Sequence, residues 1–333
     1  MSPLRIGMVG IGYIADRHCH GFKSNPHARI TGMCHNFFGD PEQIANERLV
    51  LAKKCKEWNC RPFESFEEMV VSPEIDALVV GSITPFHFKQ VQSALANKKH
   101  VMVEKPVVTE YQQLKEINKL AEDTGCKIFP AHNFIYRQSV LKAKEALMAG
   151  VIGKIIHASL ISTHSISEAH ATGWRSKRRL ASGGALMDSG HHLIYQSIYL
   201  LGVPAKCHAF ASRRVLTGME CEDTAQVSLL YPDSSMGLIM QSWASDSGKG
   251  VNGIRIVGDK GNIVITDALY VNGEQITDDV DYANSFKNQA TAFSNYVLKN
   301  IAPLSGLDDV RNTLKITYAA YESAERDRVI TLQ

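Results

Sequence analysis

The sequence predicts an α/β protein of two domains: a parallel sheet wound with helices, then a second α/β domain on a large, mostly antiparallel open sheet. Three observations carry this. Short apolar runs alternate with helical patterns over residues 4–131, and strands joined through helices pair in parallel. Beyond residue 150 the strand candidates follow one another through short turns, which favours antiparallel pairing. Between the two rhythms lies Val101-Met102-Val103, an apolar run stopped by Glu104-Lys105-Pro106. Ligands of open α/β sheets bind beyond the carboxyl ends of the strands, so Lys105 is expected at the mouth of such a crevice. The predicted division is 1–131 and 132–333.

The bulk properties narrow the function. The 333 residues suffice for two domains, and 44% hydrophobic with 21% charged residues is ordinary globular composition. A net charge of +2 argues against a nucleic-acid surface, and Lys177-Arg178-Arg179 is too short a basic run to alter that. No apolar run approaches the ~20 residues that span a membrane. The chain enters a strand within a few residues, so no signal peptide is expected. Seven scattered cysteines without a CxxC pair suit free thiols and a cytoplasmic location.

The first strand is read at residues 4–9. Gly10-Ile11-Gly12-Tyr13-Ile14-Ala15 follows, with a helix beginning near Ile14. This is the GxGxxG/A dinucleotide fingerprint in its required strand–turn–helix context, and it makes the first domain a Rossmann domain. Gly10 permits the turn, Gly12 lets backbone approach a pyrophosphate, and Ala15 lets the helix lie close to the strand. Residues 28–34 form the second strand. An acidic residue about 20 positions past the glycines usually holds the ribose hydroxyls of NAD. His35-Asn36 stands there instead, with no arginine following to take a 2′-phosphate. Asn36 can bond a ribose hydroxyl, so NAD is favoured over NADP. A long helix at 41–58, a short one at 63–69, a strand at 76–81, a helix at 88–97, a helix at 110–125 and a strand at 126–131 complete this half.

In the second half, a helix is predicted at 139–150 and a long strand at 153–163. Further strands are expected at 206–215, 224–231, 235–243, 253–257 and 262–266, with a final helix at 306–326 and a terminal strand at 329–332. Residues 183–201 interrupt with a helical pattern. There Asp188 and His192 stand four apart, on one face of an α-helix and ~5–6 Å apart at Cβ. A carboxylate beside a histidine orients the imidazole and raises its basicity. A surface Asp–His contact is the competing reading. A metal site of Asp188, His191 and His192 is disfavoured, because adjacent histidines diverge by about 100° on a helix.

Together these segments resemble the Gfo/Idh/MocA oxidoreductase family, which includes glucose–fructose oxidoreductase and inositol dehydrogenase. Its nucleotide loop is matched at Gly10–Ala15, and its TPN-type loop at Thr84-Pro85-Phe86-His87, with Phe86 for the usual Asn. Its EKP signature is matched at Glu104-Lys105-Pro106, its WR segment at Trp174-Arg175, and GG-x-L-x-D-x-x-x-H at residues 183–192. Tyr321-Glu322-Ser323-Ala324 also fits. The resemblance implies hydride transfer between a secondary alcohol of a sugar, sugar derivative or cyclitol and NAD or NADP. Lys105, Asp188 and His192 would be catalytic: His192 as base, Asp188 holding it, and Lys105 stabilising the alkoxide. The resemblance places the cofactor against Gly10, Ile11, Gly12, Tyr13, Ile14, His35, Asn36, Ser82, Thr84, Pro85, His87, Glu104, Lys105, Asn133, Trp174 and Arg175. Tyr136, Arg137, Arg175 and Tyr195 are the candidates for substrate hydroxyls, and no metal is implied. Tyr195 stands where the family often has Asp, which disfavours inositol itself. The family assembles through its open sheets, so a homodimer or homotetramer is expected. A redox-cycling lyase or glycosidase and a non-catalytic nucleotide-binding regulator are the competing functions.

Overall fold

The computed structural model describes residues 2–245 and 250–332. The chain forms two compact units, one of residues 1–136 and 282–307, the other of 137–281 and 308–333.

The first unit runs β1 (Leu4–Val9), α1 (Tyr13–Phe22), β2 (Ala28–Cys34), α2 (Pro41–Glu57), β3 (Arg61–Pro62), α3 (Phe66–Val71), β4 (Ala77–Val80), α4 (Thr84–Ala96), β5 (His100–Val103), α5 (Tyr111–Thr124) and β6 (Ile128–Pro130). The six strands lie in the order β3-β2-β1-β4-β5-β6, all parallel. The sheet reverses its winding between β1 and β4, the point where a doubly wound sheet opens its ligand crevice. Ala77, Leu78, Val79 and Val80 are wholly buried, as are Val101, Met102 and Val103, as a strand covered on both faces requires. Asp40 caps α2 by accepting from Gln43 N, with Pro41 in the first turn. Among the boundaries that differ from expectation, α3 begins at Phe66, not at residue 63, and α4 begins at Thr84, not at residue 88, because Pro85 sits in its first turn, where no N–H is needed.

The second unit contains α6 (Gln138–Met148), β7 (Ile155–Thr163), α7 (Glu168–Thr172), α8 (Arg178–Ala181), α9 (His191–Leu201), β8 (Lys206–Ser212), β9 (Thr224–Leu230), β10 (Met236–Ser242), β11 (Gly253–Gly258), β12 (Gly261–Ile265), β13 (Leu269–Val271) and β14 (Glu274–Thr277). After α10 (Tyr282–Lys299) it closes with α11 (Leu307–Arg326) and β15 (Ile330–Thr331). Its nine strands run β14-β13-β12-β11-β7-β10-β9-β8-β15. Neighbours are antiparallel except β7 with β10. Period-2 alternation gives this sheet two unlike faces. Ala158, Leu160, Val227 and Ile239 face a core shared with Val140, Leu193, Ile194 and Ile316 from α6, α9 and α11. The opposite side leaves Phe210 60% and Met236 56% exposed, with Ile156 and Leu230 also at the surface.

The first unit also takes α10, from a stretch that the sequence division places in the second domain and that shows no clear helical signal. Within that unit Phe286 meets His18 of α1 edge to face at 5.1 Å, and Phe293 meets Phe22 at 6.4 Å. No helix among the described residues is long and apolar enough to cross a membrane.

Candidate functional site

The first unit carries a cradle at the end of β1. Gly10 has φ +115°, and a Cβ there would lie 2.7 Å from the Gly81 carbonyl oxygen, so only glycine fits. Its N–H donates to the Cys34 carbonyl at 2.9 Å, tying the turn to the end of β2. Gly12 is different. Its backbone is extended (φ −78°, ψ −178°), and a Cβ there would meet no atom within 4 Å. It precedes α1 without a side-chain cap, so the first-turn N–H groups face a space open to an anion. Ala15 is fully buried beneath, Ile11 and Ile14 are half-buried, and the exposed Tyr13 ring carries the Arg17 guanidinium 4.7 Å from its centroid. This is the geometry a dinucleotide pyrophosphate needs.

At the end of β2 the structure shows an amide chain. Ser82 Oγ donates to Gln90 Oε1 at 2.6 Å, and Gln90 Nε2 donates to Asn36 Oδ1 at 2.6 Å. His35 lies half-buried with Nε2 3.5 Å from Glu47 Oε2 of α2. Burial pulls the His35 pKa below its usual value, against the opposing pull of Glu47.

Lys105 follows β5 at a cis bond to Pro106. Glu104 beside it is buried, accepting from Lys105 N at 3.1 Å and meeting His18 Nε2 at 2.8 Å. His87 bridges the neighbouring loops, its Nδ1 2.8 Å from the Pro106 carbonyl and its Nε2 3.0 Å from that of Ser82. Burial lowers the His87 pKa, the two carbonyls opposing it. His132 is pushed down to about 3 by burial and then by the charge of Lys105, so it is neutral at pH 7. Thr84 is buried and Pro85 exposed in the first turn of α4. Asn133 and Tyr136, expected at cofactor and substrate, are buried at 2% and 4% exposure. Asn133 Nδ2 donates to Ser285 Oγ of α10, and the Tyr136 hydroxyl accepts from Leu304 N at 3.2 Å. Both side chains thus anchor the 282–307 segment.

The second unit carries the remaining candidates. Residues 186–190 are wound as a π-turn leading into α9, the stretch that carries Asp188 and is followed by His192. Asp188 accepts from Arg175 Nε at 2.6 Å, and that guanidinium lies 4.4 Å from the centroid of the Trp174 ring. His192 Nδ1 meets the Tyr195 hydroxyl at 2.8 Å, with Tyr195 only 2% exposed. Arg137 is the N-cap residue of α6.

Glu222, unmarked in the sequence, holds this π-turn. Its buried carboxylate accepts from Gly184 N at 3.1 Å, Leu186 N at 2.9 Å and the Tyr321 hydroxyl at 2.8 Å. Glu222→Ala orphans these donors and should cost about 3 kcal/mol or more, measured by urea unfolding. Burial holds the Glu222 carboxyl above its ordinary range despite those bonds. The folded state therefore binds this proton more tightly than the unfolded one. That contribution is full below the unfolded value, about 4.3, and is lost as pH rises through the folded value. Glu222→Gln, which cannot ionise, should lose less stability than wild type on going from about pH 4 to 7; parallel pH profiles would contradict this.

Residues 4–132 match the oxidoreductase family with an NAD-binding Rossmann fold, named GFO_IDH_MocA, and residues 140–264 match the GFO/IDH/MocA C-terminal domain. The chain belongs to the Gfo/Idh/MocA oxidoreductase family. Among its relatives is the myo-inositol 2-dehydrogenase of Thermotoga maritima, 26% identical over 99% of both chains. The D-glucoside 3-dehydrogenase of Escherichia coli is 25% identical over 66% of this chain and 61% of its own length. Among solved structures, a levoglucosan dehydrogenase in complex with NADH and L-sorbose superposes with a TM-score of 0.87 at 17% identity over the full length of both chains. An aldose–aldose oxidoreductase from Caulobacter crescentus complexed with glycerol gives 0.85 at 23% identity, covering 99% of this chain and 100% of its own. These two share the fold. The Gfo/Idh/MocA family thus accounts for both halves of the chain, as its quoted motifs imply.

Proposed function

We propose that this chain is an NAD(P)-dependent dehydrogenase acting on a secondary alcohol of a sugar, sugar derivative or cyclitol. The observation that carries the reading is Lys105, set at the end of β5 beside the buried Glu104–His18 pair, in the unit that bears the Gly10–Gly12 cradle. Gly10 to Ile14 and the first turn of α1 would hold the pyrophosphate. The nicotinamide, when bound, supplies the hydride acceptor or donor. Oxidising a carbinol also requires its hydroxyl proton to leave. His192 takes that proton, its ring oriented through Nδ1 by Tyr195. Lys105 stabilises the alkoxide by charge and a hydrogen bond. Arg175 and Asp188, paired to each other, shape the substrate end of the second unit.

The test is a screen of aldoses, anhydrosugars and cyclitols with NAD and NADP, following absorbance of the reduced cofactor. Net reduced cofactor supports a dehydrogenase. Product formation without it would replace this reading with a redox-cycling lyase or glycosidase. Nucleotide binding with no turnover on any substrate would favour a regulator.

The open sheet face, with Phe210, Met236, Leu230 and Ile156 exposed, is also proposed to bury itself against a second copy in a homodimer or homotetramer. Light scattering at micromolar concentration should find no monomer, and Met236→Asp should release one. A monomeric wild type would remove the proposal.

A further inference from the structure

We propose that Glu47 and His35 make this chain select NAD over NADP, with Glu47, reaching from α2, standing in for the acid that the end of β2 lacks. The inference rests on the proposed function and deepens it at the ribose end of the same site. In a Rossmann domain the residue after β2 reads the adenosine ribose. Here that residue is His35, and the carboxylate beside it comes from another element. Glu47 Oε2 lies 3.5 Å from His35 Nε2, with the two side chains 18% and 17% exposed. Glu47 Oε1 accepts from Gln43 Nε2, one turn earlier, at 3.1 Å, which fixes the carboxylate on the helix. Glu47 Oε2 is buried and, beyond that ion-pair contact with His35, accepts no hydrogen bond of good geometry among the described residues.

Among the described residues, the two cationic candidates beside Glu47 are already matched. His35 is held toward its neutral form by burial, and the charge it gains on protonation is matched by Glu47. Arg48, the next residue, stacks 4.6 Å from the Phe37 centroid and pairs with Glu64 at 2.5 Å. Its charge is already matched. A hydroxyl is treated differently. The Ser82–Gln90–Asn36 chain consumes Asn36 Oδ1 and leaves Nδ2 as the donor end, suited to a ribose oxygen. A 2′-phosphate brings a charge of about −1.5 to −2 next to a carboxylate, and like charges at this range repel.

Calorimetric titration with NADH and NADPH tests this without any substrate. Wild type should bind NADH at least about tenfold tighter than NADPH, a difference of about 1.4 kcal/mol. Glu47→Gln, checked for folding by circular dichroism, should narrow that ratio about fivefold or more. Raising ionic strength should narrow it in wild type as well, because screening weakens the repulsion; this arm holds even if the variant does not fold. Equal or tighter NADPH binding by wild type would overturn the inference alone. So would a ratio that neither Glu47→Gln nor salt moves. Failure to bind either nucleotide would overturn the proposed function and this inference with it.

Discussion

Lys105→Met should lower kcat by about 10²–10⁴-fold on the best substrate, while nucleotide affinity changes little. Methionine keeps a similar apolar stem and removes only the ammonium. Glu104, buried against His18 and bonded to Lys105 N, holds the backbone in place in the variant, so the lost element is charge. His132 does not replace that charge, because the burial that chiefly holds it neutral persists in the variant. The pyrophosphate contacts proposed at Gly10–Ile14 are untouched. His192→Asn should cause a loss of similar size, since it removes the base but can keep one bond to the Tyr195 hydroxyl. Steady-state kinetics beside calorimetry decides both. If His192→Asn kept near wild-type turnover, the stretch from 183 to 201 would lose its catalytic role, and another residue would have to accept the proton.

Much of this was legible because some residues are dictated by local physics. Gly10 must be glycine at φ +115° against the Gly81 carbonyl, and such a constraint leaves a mark in sequence. The buried strands at 77–80 and 101–103 declare themselves as unbroken apolar runs. What escaped depends on tertiary contact. α10 is rich in Asn, Ser and Thr, which are weak helix formers, and its stability comes from Phe286 and Phe293 meeting α1. The π-turn before α9 depends on Glu222 and Tyr321, residues far apart in sequence. Gln90, which joins Ser82 to Asn36, looks like any polar helix residue. His18 left a fainter trace. It falls on the buried stripe of α1 with Ala15, Cys19 and Phe22, and a polar residue on an apolar face asks for a partner. That partner, Glu104, follows β5; the sequence marked it as the first residue of the Glu104-Lys105-Pro106 signature, but not as the mate of His18.

Gly12→Val should abolish nucleotide binding, by a factor on the order of 10² or more, without destabilising the fold. The argument turns on the contrast between two glycines of one loop. At Gly12 the backbone is extended, which any residue adopts, and a Cβ meets no atom within 4 Å. A β-carbon there therefore strains nothing in the protein itself. The space it fills is the space the pyrophosphate needs beside the first N–H groups of α1. At Gly10, φ is +115° and a Cβ lies 2.7 Å from the Gly81 carbonyl oxygen. Gly10→Ala should accordingly cost about 1–3 kcal/mol of stability through backbone strain and displacement of the Gly81 loop. Thermal melts beside NADH titrations separate the two effects: Gly12→Val melts with wild type and does not bind, whereas Gly10→Ala melts early. Wild-type affinity for NADH in a folded Gly12→Val protein would mean that the dinucleotide does not lie over this turn, and the cradle at the end of β1 would lose its assignment.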